Sequence, residues 1–315
     1  MGSRMPRLDD IILFAVIFGS VAAAVCFPNI GKVFQPYLLV FMMLMLFLSF
    51  LKIDFRALLD TSPAAMRWLV VMVGLKLIVI PVALYGIALA LVPHYAIPIL
   101  LISGISTGVV APFVATLLAA DVAPVLRMVI VTSLLVPFSL PCLVKLLAGA
   151  EITIPLEMMI QLLSIVIFVP MVAVLCIRRI WPEIIETISA RQFPVSLVLF
   201  SLINLGVFSK YSGFLLQHPR QLLVSTAVAY ALSAVYYLIG FLITSGKEMP
   251  ERLAAGVSLA LMNNVLVIVF SSRFFDPLSP TLAAMYMFPF FTMIVPVKIL
   301  AGRRGPTSTG EIHSS

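Results

Sequence analysis

Residues 100–124 read LLISGISTGVVAPFVATLLAADVAP, an apolar stretch that is long enough to cross a membrane. Near its middle it carries Ser106 and Thr107, and Pro112 follows Ser106 by six residues. Because proline has no backbone N–H, it leaves a carbonyl of the preceding turn without its helical partner. Irregular backbone persists at membrane depth only where it is buried in protein or lines a wet cavity. The stretch therefore predicts a membrane helix that is interrupted near the bilayer midplane.

A second stretch, residues 252–277, repeats this arrangement. It reads RLAAGVSLALMNNVLVIVFSSRFFDP, and Asn263 and Asn264 follow Ser258 at a matching depth. Side-chain amides can satisfy backbone groups where a helix unwinds. Two interrupted helices that meet near the midplane would present positive helix ends to an anion and backbone carbonyls to a cation.

The composition is that of a membrane protein with many spans. Of the 315 residues, 62% are apolar and 10% are charged, and the net charge of +7 is typical of cytoplasmic loops that set membrane orientation. We therefore expect a lipid bilayer and no nucleic acid as partner. The sequence contains no HExxH, GxGD or Ser-His-Asp arrangement, so neither an enzyme nor a resident cofactor is expected.

Cys26, Cys142 and Cys176 lack CxxC spacing and are predicted to be small buried residues.

Ten apolar runs are long enough to cross a bilayer. With the amino terminus in the cytoplasm, fourteen of the twenty lysines and arginines lie on that side, five lie opposite, and Lys76 lies within the membrane. This asymmetry fits an even number of spans with both termini cytoplasmic, and we expect an integral protein of a bacterial-type inner (plasma) membrane. The predicted spans are residues 11–27, 35–51, 68–92, 97–119, 125–147, 158–177, 194–213, 222–244, 253–271 and 279–300.

An internal repeat emerges when the chain is compared with itself at an offset of about 152 residues. VKLLAG at 144–149 matches VKILAG at 297–302, and GIS at 104–106 matches GVS at 256–258. Each half then holds an odd number of spans, so the second copy is inverted, as is typical of alternating-access carriers. The predicted fold class is an all-α polytopic membrane protein with ten transmembrane helices, arranged as two inverted five-helix repeats with broken, crossing helices 4 and 9. The predicted domains are residues 1–152 for the first repeat, 153–304 for the second and 305–315 for a polar cytoplasmic tail.

Lys76, in the segment GLKLIVIP (74–81), follows Arg67 by nine residues, which places it about 13 Å into the third span at about 1.5 Å per residue. That is too deep for the ammonium to reach the headgroups comfortably. All thirteen acidic residues lie in loops, tails or span ends, so no buried carboxylate is expected beside it. Three roles remain open: contact with a water-filled cavity, a tethered charge in place of a coupling cation, or binding and release of a proton in each cycle.

The chain resembles the bile acid:sodium symporter family, within the bile/arsenite/riboflavin transporter superfamily, as a divergent member. The resemblance rests on FMMLMLFLSFLKIDFRALL (41–59), STGVVAPFVATLLAADVAPVLRMVIVTSLLVP (106–137) and GVSLALMNNVLVIVFSSRFFDPLSP (256–280). Members of that family have ten spans, inverted five-helix repeats and crossed, broken helices four and nine. The resemblance therefore implies the same architecture, and it implies that a monomer can suffice.

The resemblance also implies two sodium sites, from which this sequence departs. Sodium, like other hard cations, prefers several oxygen ligands. Of the family's helix-nine ligand motif only the asparagine persists, as Asn263, and we expect the conventional sodium sites to be absent. The positions that match the family's other sodium ligands, most of which lack an oxygen, are Lys76, Ala111, Pro112, Val125, Val129, Ser258 and Met262.

These patterns predict a secondary active transporter for a small organic anion, with Lys76 as sodium surrogate or proton carrier. One alternative is a sodium-coupled bile acid or organic anion symporter that uses the remaining side chains and backbone carbonyls. Others are an auxin-efflux-type carrier, which shares a related architecture, and a non-transporting membrane receptor. Thr132 and Ser133, in the fifth span, are more typical of hydroxyls that join helices than of binding residues, although both are kept as candidates. The candidate substrate- and ion-binding residues are Lys76, Ser106, Thr107, Ala111, Pro112, Thr132, Ser133, Ser258, Met262, Asn263 and Asn264.

Overall fold

The computed structural model describes residues 8–51, 62–149 and 155–302, and in these ranges the chain is almost entirely helical. The predicted domain boundary at 152/153 and the predicted tail 305–315 lie outside the described residues. The helices are α1 (Leu8–Cys26), α2 (Pro28–Lys32), α3 (Leu38–Leu51), α4 (Pro63–Gly74), α5 (Ile80–Leu91), α6 (Ala96–Ser103), α7 (Ala111–Leu117), α8 (Val122–Ala148), α9 (Leu156–Ile180), α10 (Pro182–Ala190), α11 (Gln192–Lys210), α12 (Ser212–Gln217), α13 (Pro219–Ile243), α14 (Met249–Ala260), α15 (Asn264–Phe274), α16 (Leu278–Met285), α17 (Met287–Thr292) and α18 (Ile294–Gly302).

Several helical segments have the length and apolar character needed to cross a bilayer. This agrees with the all-helical membrane class predicted from the sequence, while the count of ten spans stays a prediction. Within the described ranges, the five long segments are Pro63–Leu91, Val122–Ala148, Leu156–Ile180, Pro219–Ile243 and Leu278–Leu300, and the shorter apolar ones are Gln35–Leu51, Pro93–Ser103, Pro194–Lys210 and Asn264–Phe274.

The third predicted span differs from a regular helix. Residues Leu75–Val79, between α4 and α5, form a π-helical turn in which the N–H of Ile80 donates to the carbonyl of Leu75. Pro81 explains the widening, because it cannot donate to the carbonyl four residues earlier and its ring would collide with that carbonyl in an α-helix. Lys76 lies in this turn and is fully buried.

The prediction that the three cysteines are buried is wrong. Cys26, Cys142 and Cys176 are free thiols on the exposed surface of α1, α8 and α9. Outward-facing positions of membrane helices contact lipid tails, which are as apolar as a protein core. An apolar run therefore does not distinguish a cysteine that faces lipid from one that faces protein.

Helix packing separates two groups of helices. The scaffold group comprises α1–α3 and α9–α12, in which α11 packs on α1, α2 and α3, and α3 packs on α9. The crossover group comprises α4–α8 and α13–α17, in which α13 packs on α14 and α16, and α5 packs on α6. Contacts of α8 with α9, and of α15 with α3 and α11, join the two groups. Both interrupted helices belong to the crossover group.

The end of α7 contains a strained residue. Ala119 has φ of 55°, and it is the non-glycine residue with positive φ among the described residues. The N–H of Ala120 donates to the carbonyl of Ala115 at 2.9 Å, and that of Ala119 to Thr116 at 3.2 Å, which is the capping pattern of a left-handed residue after a helix. Glycine adopts this conformation without the steric cost of a Cβ.

Ala119→Gly is expected to raise the free energy of unfolding by roughly 0.5–1 kcal/mol. The left-handed conformation costs about 1–2 kcal/mol for alanine, whereas the added chain entropy of glycine costs about 0.4–1 kcal/mol. Unfolding of the purified protein in detergent, by heat or denaturant, measures the change. Ala120→Gly is the control and should be destabilising, because the backbone of Ala120 does not have positive φ. A loss of stability in Ala119→Gly would contradict the assignment of strain.

Candidate functional site

The first interrupted helix breaks earlier than the proline suggests. α6 ends at Ser103, residues 104–110 are not helical, and α7 begins at Ala111. Pro112 lies in the first turn of α7, where a helix needs no N–H donor from it. The interruption predicted from the sequence is present, but Pro112 starts the second half-helix rather than forming the break.

The second interrupted helix breaks over residues 261–263, between α14 and α15. Asn263 caps α15, since its side-chain Oδ1 accepts a hydrogen bond from the N–H of Leu266 at 3.3 Å. Asn264 is the first residue of α15. An asparagine that caps the amino end of a helix, as Asn263 does, supplies an acceptor to N–H groups that have no helical partner. The asparagine pair therefore builds the start of the second half-helix.

The two breaks cross and bond to each other as a short antiparallel bridge between Thr107 and Met262. The N–H of Gly108 donates to the carbonyl of Leu261 at 2.8 Å, and the N–H of Asn263 donates to the carbonyl of Ser106 at 3.0 Å. A Cβ on Gly108 would lie 2.7 Å from the carbonyl oxygen of Met262. The crossing therefore requires glycine at residue 108.

The carboxyl end of α14 and the break behind it present six consecutive carbonyls, and each accepts a hydrogen bond. The last carbonyls of a helix have no partner within it and carry the negative end of the helix dipole. The donors are Leu261 N for Val257 O, Thr107 Oγ1 for Ser258 O, Lys76 Nζ for Leu259 O, the Tyr286 hydroxyl for Ala260 O, Gly108 N for Leu261 O and Asn264 N for Met262 O.

Lys76 places its side-chain nitrogen at this helix end. Its Nζ lies 3.1 Å from the carbonyl oxygen of Leu259 and 5.3 Å from the centre of the Tyr236 ring. Both a helix carboxyl end and an aromatic face attract a positive charge. Among the described residues no acidic side chain forms an ion pair with Lys76. Backbone carbonyl and aromatic ring thus take the place of the missing carboxylate.

Tyr236 also connects Lys76 to the first interrupted helix. Its hydroxyl donates to Ser103 Oγ at 2.6 Å, and Ser103 Oγ donates to the carbonyl of Ile99 one turn earlier in α6. Tyr236 and Ser103 are both buried. The third span, α6, α13 and α14 therefore meet through one connected set of polar contacts.

Of the predicted hydroxyl residues, Thr107 and Thr132 bond at the same crossing. Thr132 Oγ1 accepts the N–H of Thr107 at 3.0 Å and donates to the carbonyl of Met128, so Thr132 holds the break in place. Within the described part of the chain, the buried hydroxyls of Ser106, Ser133 and Ser258 have no hydrogen-bond partner. Buried polar atoms without partners are rare, and an ion or water is a common explanation.

The positions that match the family's sodium ligands do not suit a conventional sodium site. Ala111, Val125 and Val129 are fully buried and apolar, and Pro112 lies in the first turn of α7. At the matching positions only Ser258 and Asn263 carry a side-chain oxygen, and Oδ1 of Asn263 already accepts the N–H of Leu266. Met262 contributes backbone to the bridge with Thr107, and Lys76 is a hydrogen-bond donor that takes up the carbonyl of Leu259. The residues present therefore disfavour sodium at these positions.

A small cavity of about 10 Å³, room for about one water molecule, lies between the two helix groups. Asn264 lies beside this cavity, because its Nδ2 donates to Sδ of Met287, one of the lining residues, at 3.1 Å. The Oδ1 of Asn264 is buried without a partner in the described chain. Lys76 is not among the lining residues. They are Val21, Phe200, Asn204, Ile268, Ala284, Met285 and Met287.

Sequence reasoning missed three residues that shape this site. Gly108 permits the close approach of the two breaks, Tyr286 caps the carbonyl of Ala260, and Tyr236 faces Lys76. The signal for the tyrosines is their position inside apolar spans, because a buried tyrosine hydroxyl usually finds a hydrogen-bond partner.

A family model for the sodium bile acid symporter family matches residues 36–218, more than half of the chain. The chain belongs to this family. The matched range contains the interrupted α6–α7 pair and α8, and it ends before α14 and α15. Members of the family are solute transporters, so the chain is an integral membrane protein of a transporter family. No curated protein matches the chain.

Gly108→Ala is expected to lower the free energy of unfolding by about 1–3 kcal/mol, as for other overpacked sites. The added Cβ would lie 2.7 Å from the carbonyl oxygen and 3.0 Å from the carbonyl carbon of Met262, both of which are backbone. Thermal unfolding in detergent measures the effect. Gly86→Ala in α5 is the matched control: nothing lies within 4 Å of its Cβ, so it should be neutral or stabilising. Equal melting temperatures for both variants would argue against the close crossing.

Thr107→Val is expected to destabilise the protein by about 1–3 kcal/mol, because it leaves the buried carbonyl of Ser258 without its donor while preserving side-chain shape. The control is Thr116→Val, which removes a hydroxyl that donates to the carbonyl of Pro112 at an exposed position. That change should alter stability by less than about 0.5 kcal/mol. Denaturant unfolding of both variants in the same detergent gives the comparison.

Proposed function

We propose that the chain is a secondary active carrier that works by alternating access, with ten spans arranged as two inverted five-helix repeats. Family membership supports a transporter. The crossing of two interrupted helices, and the separation into a scaffold group and a crossover group, support movement of one group against the other. In this proposal the crossing is the binding centre and the interface between the groups is the substrate pathway.

The central proposal is that Lys76 replaces the coupling sodium as a tethered cation. The observation that carries it is the 3.1 Å contact of Lys76 Nζ with the carbonyl of Leu259 at the end of a broken helix. In carriers of this kind, carbonyls of unwound backbone and half-helix ends are the groups that hold sodium. An ammonium that donates a hydrogen bond to such a carbonyl supplies the positive charge that a diffusible cation would otherwise bring there.

The tether role is better supported than the proton-carrier role. Lys76 is fully buried and its Nζ already has a carbonyl and an aromatic face as neighbours. A proton carrier must exchange its proton with one side of the membrane and then the other. Lys76 does not line the cavity between the helix groups, so the described structure offers it no direct contact with a substrate there.

The proposed substrate is a small organic anion with an apolar body. The cavity has room for only about one water molecule in this state, but its lining is mainly apolar, which suits the body of such a molecule once the two groups move apart. The amide of Asn264 and the positive amino end of the eleven-residue α15 lie beside it, and both can attract an anionic group.

Sodium symport through other ligands is the second candidate. The unpartnered hydroxyls of Ser106, Ser133 and Ser258 favour it, since each is an oxygen that could face a small cation. This candidate predicts that sodium stabilises the unmodified protein, and it is separated from the first by the following experiment.

Sodium is expected to leave the melting temperature of the wild-type protein unchanged, relative to choline at equal ionic strength. Lys76→Gln frees the carbonyl of Leu259 and adds an oxygen, so sodium should stabilise this variant. Ligand at ten times its dissociation constant stabilises a protein by about 1.4 kcal/mol, which thermal unfolding resolves. Lys76→Met is the control, because it removes the charge without adding an oxygen and should gain no response to sodium.

Transport gives the second measurement. A thermal-shift screen of organic anions identifies a substrate, and its uptake into proteoliposomes is then compared with and without sodium. We expect uptake by the wild-type protein in both conditions. Strict sodium dependence of that uptake, or stabilisation of the wild type by sodium, would refute the tethered-cation proposal and favour sodium symport.

A further inference from the structure

Lys210 and Tyr211, at the carboxyl end of α11, both bond to one atom of α15. Lys210 Nζ lies 2.8 Å and the Tyr211 hydroxyl 2.9 Å from the carbonyl oxygen of Ser272. Lys210 Nζ also lies 5.3 Å from the centre of the Tyr211 ring. The two donors therefore converge on a single acceptor.

The acceptor belongs to a helix end. Ser272 lies in the last turn of α15, whose carbonyls have no partner within the helix and carry the negative end of its dipole. A lysine at this position is favoured by charge as well as by hydrogen bonding. Ser272 and Tyr211 are buried, so water competes little for this carbonyl.

These contacts join the two helix groups. Lys210 and Tyr211 belong to the α11–α12 connection of the scaffold group, whereas α15 belongs to the crossover group. By contrast, the Gln35 to Ser209 bond stays within the scaffold group, and the Tyr95 to Ser225 bond stays within the crossover group. In the predicted topology, Lys210 lies on the extracytoplasmic side.

The Asp276 carboxylate lies near Tyr211, just beyond the carboxyl end of α15. The Asp276 carboxylate is itself held in place by the N–H and hydroxyl of Ser279 at 3.3 and 3.1 Å. The groups that face Tyr211 here are thus Lys210 and Asp276.

We propose that Lys210 and Tyr211 form a latch that keeps the extracytoplasmic side of the substrate pathway closed. The latch holds the scaffold group against the carboxyl end of α15 and breaks each time the carrier opens to that side. This proposal rests on the alternating-access function proposed above. Loss of the latch biases the carrier toward the state that is open to the extracytoplasmic side.

The test measures access to the cavity between the groups. Cys26, Cys142 and Cys176 are replaced by alanine, and Ala284→Cys places one thiol in the cavity lining. A charged, membrane-impermeant thiol reagent is applied to intact cells to probe the extracytoplasmic side, and to inside-out vesicles to probe the cytoplasmic side. Lys210→Met with Tyr211→Phe should raise the labelling rate from the extracytoplasmic side about tenfold, which corresponds to about 1.4 kcal/mol, and lower it from the other side. Tyr211→Phe alone, which removes one oxygen, should give a smaller change in the same direction.

Lys32→Met is the matched control, because Lys32 lies on the same predicted side and bonds Asn29 within its own helix group. It should leave both labelling rates unchanged. The Ala284→Cys protein with Lys210 and Tyr211 intact gives the reference labelling rate from each of the two sides. If the latch variants leave these rates unchanged, the latch proposal fails and the carrier proposal stands. If Ala284→Cys is labelled from neither side in any folded variant, alternating access through this cavity fails, and the latch proposal fails with it.

Discussion

A helix that ends inside a membrane must find protein partners for its last carbonyls, because the bilayer core has no water to supply them. In the predicted topology the end of α14 is such a helix end, and its partners come from the α6–α7 break, the third span and the α16–α17 junction. Separating any of these elements would expose a backbone carbonyl without a donor. This requirement therefore ties the break of α6–α7, the third span and the α16–α17 junction to the end of α14, in addition to the apolar packing of these helices.

The sequence was informative where polar or helix-breaking residues stand inside apolar runs. Ser106, Pro112 and the asparagine pair are visible in this way, and they do mark the two interrupted helices. The donor for each carbonyl could not be predicted, because the contact of Lys76 with Leu259 joins residues 183 positions apart. The partner of Lys76 is a backbone carbonyl, which every residue carries, so no residue type in the sequence marks it. The number of spans and the inverted repeat stay predictions.

A tethered cation has a thermodynamic consequence for a carrier. A sodium site fills and empties during the cycle, so the sodium gradient does work on the substrate. An ammonium joined to the chain crosses no gradient, because it returns with the protein. Under the proposed function, the driving force must come from the substrate gradient, the membrane potential or another ion.

The π-helical turn at Leu75–Val79 divides the third span into two helices with separate registers. Each residue in an α-helix turns by about 100°, and a π-turn contains one residue more than the helix around it. The extra residue is taken up within the turn, so the face of α4 continues into α5 one residue later than in a regular helix. A residue inserted or deleted elsewhere in this span, where no such turn absorbs it, would rotate one half by about 100° against its contacts, although the hydropathy of the sequence would barely change.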